Sequence, residues 1–193
     1  MKLIYLIGMP GTGKTTVMKE FMKRVYDGPW KQERVTDLLD THTECYYRED
    51  GAALRVRVLG KYEEGETFSG TDRLSMAVAP KAVEWLTTEK PDYTIAGEGD
   101  RLNNAAFFEA AGDDLVLIHL TVSDEERERR YKERGSEQSE KFIQTTKTKC
   151  NNIIEKFGPS VTLFGETDGY VTEFVHETPE DTKRIVDFMM LNV

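Results

Sequence analysis

Short apolar runs alternate with amphipathic stretches along this chain, and each run predicts an element. Lys2 to Ile7 (KLIYLI) is apolar and suited to a buried parallel strand. Thr16 to Tyr26 reads as an amphipathic helix with Val17, Phe21 and Val25 on one face, ended by Asp27-Gly28-Pro29. Residues 43–47 and 53–59 flank Glu49-Asp50-Gly51, where Asp-Gly favours a tight turn, so a β-hairpin is predicted. On its second strand Arg55 and Arg57 share one face and Val56 and Val58 the other. Gly60 to Gly70 is a charged loop, Thr71 or Asp72 is placed to cap a short helical segment, and Pro80 fits the first turn of a helix running to about Thr88.

The second half continues the alternation. Asp92 to Gly97 is a buried strand, Asn103 to Ala111 a helix ended by Gly112, and Asp114 to Val122 the strongest strand. Ser123-Asp124-Glu125-Glu126 predicts a capping box before a charged helix that stops at Gly135. Ser139 to Phe157 is another helix. Val161 to Phe164 and Tyr170 to Val175 are strand candidates around a Glu-Thr-Asp-Gly turn, and Thr178-Pro179 opens the last helix. Strands alternating with helices predict an α/β sandwich with a mostly parallel central sheet between helices. No repeat or linker divides residues 1–193, so a single domain is expected, with the hairpin and a neighbouring loop at about 43–72.

Composition narrows the function classes. Acidic residues number 35 against 26 basic, a net charge of -9, which argues against a surface built mainly for nucleic acid or membrane. A local basic groove stays open. Cys45 and Cys150 form no C-x-x-C pair, and His42, His119 and His176 show no metal spacing. His119, inside the strongest strand, reads as a core histidine. No apolar run approaches the roughly 18 residues of a membrane span. The first run leads straight into a glycine loop and reads as a strand rather than a signal peptide, so a cytoplasmic setting is expected.

The chemistry enters at Gly8-Met9-Pro10-Gly11-Thr12-Gly13-Lys14-Thr15, a complete G-x-x-x-x-G-K-[ST] phosphate-binding loop between a predicted strand and helix. Glycines let the backbone approach a phosphate chain, N–H groups point inward, and the helix N-terminus adds positive potential. Gly8, Pro10, Gly11, Thr12, Gly13, Lys14, Thr15 and Thr16 are the candidate ATP-binding residues, Lys14 for the β- and γ-phosphates and the Thr15 hydroxyl for Mg²⁺. Asn-Lys-x-Asp is absent, which weighs against a switch GTPase.

Three segments complete the candidate site. The strand before Glu98-Gly99-Asp100-Arg101 ends in an acid, and Glu98 is the candidate metal-side carboxylate, with Asp100 its rival. Either carboxylate could instead cap the following helix. Asp100 and Arg101 are also candidate substrate contacts. In Ser69 to Arg73, Asp72 is the candidate general base, with Thr71 and Arg73 as substrate contacts, against plain capping by Thr71 or Asp72. Arg127, Arg130 and Arg134 share a helix face in a candidate lid at about 127–140. Arg130 and Arg134 are the catalytic candidates, and interleaved glutamates leave a solvated face as the alternative.

Taken together, these motifs make the chain resemble the small P-loop kinases that phosphorylate nucleosides, nucleotides, shikimate or gluconate. The resemblance implies a five-stranded parallel sheet in a P-loop NTPase three-layer sandwich, ATP and Mg²⁺, and γ-phosphoryl transfer. It also places a weak adenine-contact candidate at His176 to Pro179. The hairpin stands where adenylate and thymidylate kinases have a helical domain, which leaves the acceptor open. Gly70 to Ser75 (GTDRLS) and Lys147 to Ile153 (KTKCNNI) are similar to small phage kinases, including those that phosphorylate 5-hydroxymethyluracil in DNA. That likeness implies a host-cytoplasm setting and backbone-phosphate contacts by Arg55, Arg57, Lys141, Lys147 and Lys149. Alternatives are a deoxynucleoside monophosphate or other small-metabolite kinase, and, from another class, a P-loop ATPase or regulatory nucleotide-binding protein.

Overall fold

The computed structural model describes residues 1–26, 32–34, 39, 42–47, 55–63, 66, 69–135, 138–158 and 169–193, with backbone alone at 32–34, 42–47, 55 and 134. The expected Asp-Gly turn at 49–51, the helix stop at 27–29, the strand at 161–164 and most of the turn after it lie outside the described residues.

Among the described residues seven strands form one sheet: β1 (Lys2–Ile7), β2 (Gln32–Arg34), β3 (His42–Tyr47), β4 (Arg55–Leu59), β5 (Thr94–Glu98), β6 (Leu115–Thr121) and β7 (Val171–Val175). Their order is β2-β3-β4-β5-β1-β6-β7. The five strands from β4 to β7 are parallel, and β2 and β3 extend the sheet antiparallel. β3 and β4 form the expected hairpin, and β4 also serves as the outer strand of the parallel sheet.

Six helices among the described residues accompany the sheet: α1 (Lys14–Val25), α2 (Val78–Glu89), α3 (Ala105–Glu109), α4 (Asp124–Arg134), α5 (Glu140–Phe157) and α6 (Pro179–Leu191). Period-two alternation along β1 divides the core. Leu3, Tyr5 and Ile7 face a cluster with Trp85, Phe107, Phe108 and Ile153 from α2, α3 and α5. Ile4 and Leu6 face Val17, Phe21, Ile185 and Met189 from α1 and α6. Each such fully buried side chain contributes about 1.5–3 kcal/mol. α4 (DEERERRYKER) has no apolar stripe to bury, and polar contacts described below hold it in place.

Three local expectations are corrected. Ser123 does cap α4 by accepting from the Glu126 N–H, but the Glu126 carboxylate turns to Arg129 and Arg130, so the box is half made. The reciprocal box forms instead at Thr178 and Asp181, opening α6. His119 is not a core residue: it sits in the outer half of the sheet and pairs through Nδ1 with Glu173 on β7, at 2.8 Å. Neither Thr71 nor Asp72 caps the 3-10 turn Thr71–Arg73, because both side chains are engaged across the chain.

Candidate active site

Parallel strands bring their carboxyl ends to one edge, where ligands of such sheets bind. Here that edge gathers the loops after β1, β4, β5 and β7.

The loop after β1 wraps onto the start of α1, whose first turn no side chain caps, so its N–H groups are open to an anion. Lys14 lies back over the loop, its Nζ donating to Gly8 O at 2.8 Å and Met9 O at 2.9 Å. Gly13 has φ of 86°, and a Cβ there would sit 2.3 Å from the His176 ring. His176 follows β7 and supports the loop from beneath: Nδ1 lies 2.8 Å from Thr12 O, and Nε2 2.8 Å from Thr182 Oγ1. Both ring nitrogens are thus used, and His176 props the loop.

Burial lowers the His176 pKa below its ordinary 6.5, so the folded chain favours the neutral ring. The contribution to stability is complete above pH 6.5 and is lost as pH falls through the folded value. Thermal melts from pH 7.5 to 5 are expected to show that decline. His176→Asn, which keeps a donor near Nδ1, is expected to flatten it; an unchanged slope would remove His176 as the source.

α4 clamps the loop from above. Arg130 donates to Gly11 O at 3.0 Å and to His176 O at 2.9 Å, while Glu126 holds its Nε at 2.7 Å. Hydrogen bonds from Arg129 and then Arg130 lower the Glu126 pKa to about 2. The Tyr131 hydroxyl donates to Pro10 O at 2.8 Å, and its ring lies where a Cβ on Gly11 would come within 2.9 Å. The arginine helix is therefore not merely a solvated face. Arg127 pairs with Asp124, and the Arg134 side chain lies outside the described residues. Tyr131 was missed in the sequence, although it is the single aromatic in a run of charges.

Asp72, Glu98 and Asp100 line a cavity of about 150 Å³ together with Lys14. Thr15 Oγ1 donates to Glu98 Oε1 at 3.0 Å, and Glu98 is buried. Asp72 Oδ1 accepts the Asp100 N–H at 2.6 Å. Asp100 is itself held by Lys149 of α5, whose Nζ lies 2.8 Å from Oδ1 and 2.9 Å from the main-chain oxygen. The buried Cys150 thiol beside it has its pKa raised by burial, offset by the Lys14 charge and by hydrogen bonds from Gly8 and Asn103. Beyond Gly13 and Thr16 opens a second cleft of about 810 Å³, bordered by Arg130, Thr178, Pro179 and Thr182.

Tyr5 ties this end together. Its fully buried hydroxyl donates to Gly99 O at 2.9 Å and lies 2.9 Å from Thr71 Oγ1. Burial raises its pKa well above 10.0. Tyr5→Phe leaves two polar groups short of a partner and is expected to destabilise the chain by about 1–3 kcal/mol in urea melts. No measurable change would show that the hydroxyl does not hold the two segments together.

The structure thus brings together Lys14, Thr15, Asp72, Glu98 and Asp100 around one cavity, with Arg130 on the loop. Thr71 is buried against Tyr5, Arg73 pairs with Glu63 and Glu66, and Arg101 lies outside the cavity lining. Arg57 is buried with its guanidinium 4.9 Å over the Tyr93 ring, so it is no contact for a nucleic-acid backbone; the Arg55 side chain lies outside the described residues.

Fold and family define the class: this is an enzyme, a P-loop kinase. The chain belongs to the P-loop Nucleotide Kinase3 family, whose model matches residues 1–189. The family implies a nucleotide phosphoryl donor, ATP, usually with Mg²⁺. No curated protein matches in sequence. Among solved structures, an unliganded sugar kinase from a Janibacter species is similar, with TM-score 0.47 and 11% identity over 99% of this chain and 93% of that one. No helix among the described residues is long and apolar enough to cross a membrane.

Proposed function

We propose that the enzyme moves the γ-phosphoryl group of ATP to a hydroxyl of a nucleoside, a nucleotide or a modified DNA base, with 5-hydroxymethyluracil in DNA the foremost candidate. The observation that carries the hydroxyl reading is the charge of the acceptor end. Asp72, Glu98 and Asp100 line the cavity, and Lys14 is the one cation among its described lining residues. A phosphate acceptor carries about -1.5 to -2 charges and needs an Arg or Lys clamp. Arg73, which could have supplied one, is spent on Glu63 and Glu66.

Division of labour among the three carboxylates follows from their partners. Glu98 faces Thr15, and this hydroxyl-carboxylate pair suits Mg²⁺, a hard cation that takes one or two carboxylates together with phosphate oxygens. Bound there, Mg²⁺ would neutralise charge on the β- and γ-oxygens. Asp100 is neutralised by Lys149. Asp72 keeps its second oxygen for the acceptor's proton. The acceptor oxygen attacks the γ-phosphorus, its proton passes to Asp72, the bond to the bridging oxygen breaks, and ADP leaves. Lys14, Arg130 and Arg134 offset the charge of the transferring group. The cleft beside Thr178 and Pro179 is the place for adenine.

The DNA reading is supported by the likeness at Gly70 to Ser75 and Lys147 to Ile153, and by Lys141 and Lys147, which stand exposed on α5. Labelled ATP with a panel of nucleosides, nucleotides, sugars and 5-hydroxymethyluracil DNA tests the proposal. Label on the hydroxymethyl base, together with salt-sensitive retention on DNA, is the expected result. ATP turnover indifferent to every acceptor would overturn it.

A further inference from the structure

The roof of the cavity has two features that phosphoryl transfer leaves unused. Phe142, on the first turn of α5, lines the cavity and is 41% exposed. The other exposed large hydrophobics among the described residues, Met76, Val175 and Leu191, line none of it. A phenyl face left in water beside a polar cavity gains from a flat ring laid on it, whatever the ring's substituents.

Asn103 also lines the cavity, just past the loop that carries Glu98 and Asp100. It is 4% exposed, and its Oδ1 has no hydrogen-bond partner among the described residues. A buried carbonyl without a donor is unfavourable, and a site built around one favours ligands that bring the missing N–H.

We propose that Phe142 and Asn103 are the specificity-determining residues for the acceptor: Phe142 stacks on a planar heterocycle, and Asn103 Oδ1 accepts an N–H from it. The proposal rests on the reading of this cavity as the acceptor site. The carboxylates at the reacting end fit a ring that is neutral. A pyrimidine with an imide N–H has the required face, donor and charge. A sugar offers hydroxyl donors but no π-face.

The test uses the full chain, labelled ATP and four acceptors. These are 5-hydroxymethyl-2′-deoxyuridine free and within DNA, its N3-methyl analogue, and glucose. Phe142→Ala is expected to raise the KM for the hydroxymethyl acceptor about tenfold or more. The KM for ATP should stay within about twofold, and Phe142→Trp should retain acceptor binding. Wild type is expected to use the N3-methyl analogue about a hundredfold less efficiently, and Asn103→Leu to erase that difference. Phe142 is exposed enough for its variants to fold even if Asn103→Leu does not.

An unchanged acceptor KM in Phe142→Ala, equal use of the methylated ring by wild type, or label on glucose alone would each overturn the proposal while leaving a kinase. ATP turnover with no label on any acceptor would overturn the acceptor-site reading itself and this proposal with it.

Discussion

Lys14→Ala is expected to lower phosphoryl transfer by about a thousandfold or more, the loss that follows removal of a charge-stabilising group from a transition state. The fold should survive. The ammonium donates to two carbonyls of its own loop, Gly8 O and Met9 O, and among the described residues to no other element. Both carbonyls lie at an edge that water reaches, so the melting temperature should move by a few degrees at most. Lys14→Met, which keeps most of the stem without the charge, should lose transfer equally. Labelled-phosphate assays beside thermal melts separate the two effects. A variant that still transfers phosphate at more than about a tenth of the wild-type rate would remove Lys14 from the chemistry.

Asp72→Asn should cost about 10²- to 10⁴-fold in kcat, the usual worth of a positioned general base. The substitution is close to isosteric, and an amide oxygen can still accept the Asp100 N–H that Asp72 Oδ1 takes at 2.6 Å. The turn at Thr71–Arg73 should therefore hold, anchored as it is by Tyr5. What disappears is the oxygen proposed to take the acceptor's proton. On the proposed assignment of Asp72 to the acceptor end, the KM for ATP should be unchanged. Asp100→Asn provides the contrast. It breaks the pair with Lys149 without removing the base, so its effect should fall on acceptor binding more than on kcat. If Asp100→Asn proved the more damaging to kcat, the two roles would have to be exchanged.

The sequence shows the donor half of this site far better than the acceptor half, for a physical reason. A phosphate loop is local: its glycines, Lys14 and Thr15 act through backbone geometry set within eight residues, so the string itself carries the information. The strand before it and the helix after it were legible from period alone. Tyr5 was not. In KLIYLI it reads as one more core side chain, and its hydroxyl finds partners 66 and 94 residues away. Lys149 looked like a phosphate-binding lysine because nothing nearby on α5 says that Asp100 lies within reach. Ser123 misled in the opposite direction. Its Glu126 fits the capping pattern, but two arginines further along the helix offer that carboxylate a stronger, charged partner. Local rules fail here where stronger polar contacts, near or far along the chain, outbid them.

The loop leading to Asp72 begins and ends on a single two-way bridge. Lys61 N–H donates to Gly70 O at 3.2 Å, and Gly70 N–H to Lys61 O at 2.8 Å. Between these two positions, Glu63 and Glu66 reach back to hold Arg73, the residue after Asp72. Closing a longer loop adds only about 0.6 kcal/mol for each doubling of its length. The bridge thus fixes where Asp72 is delivered, whatever length of chain it closes. Descendants of this enzyme, or a laboratory library, gain room to lengthen the stretch at small cost, provided Tyr62 keeps its place in the core and Ser69 its place at the cavity.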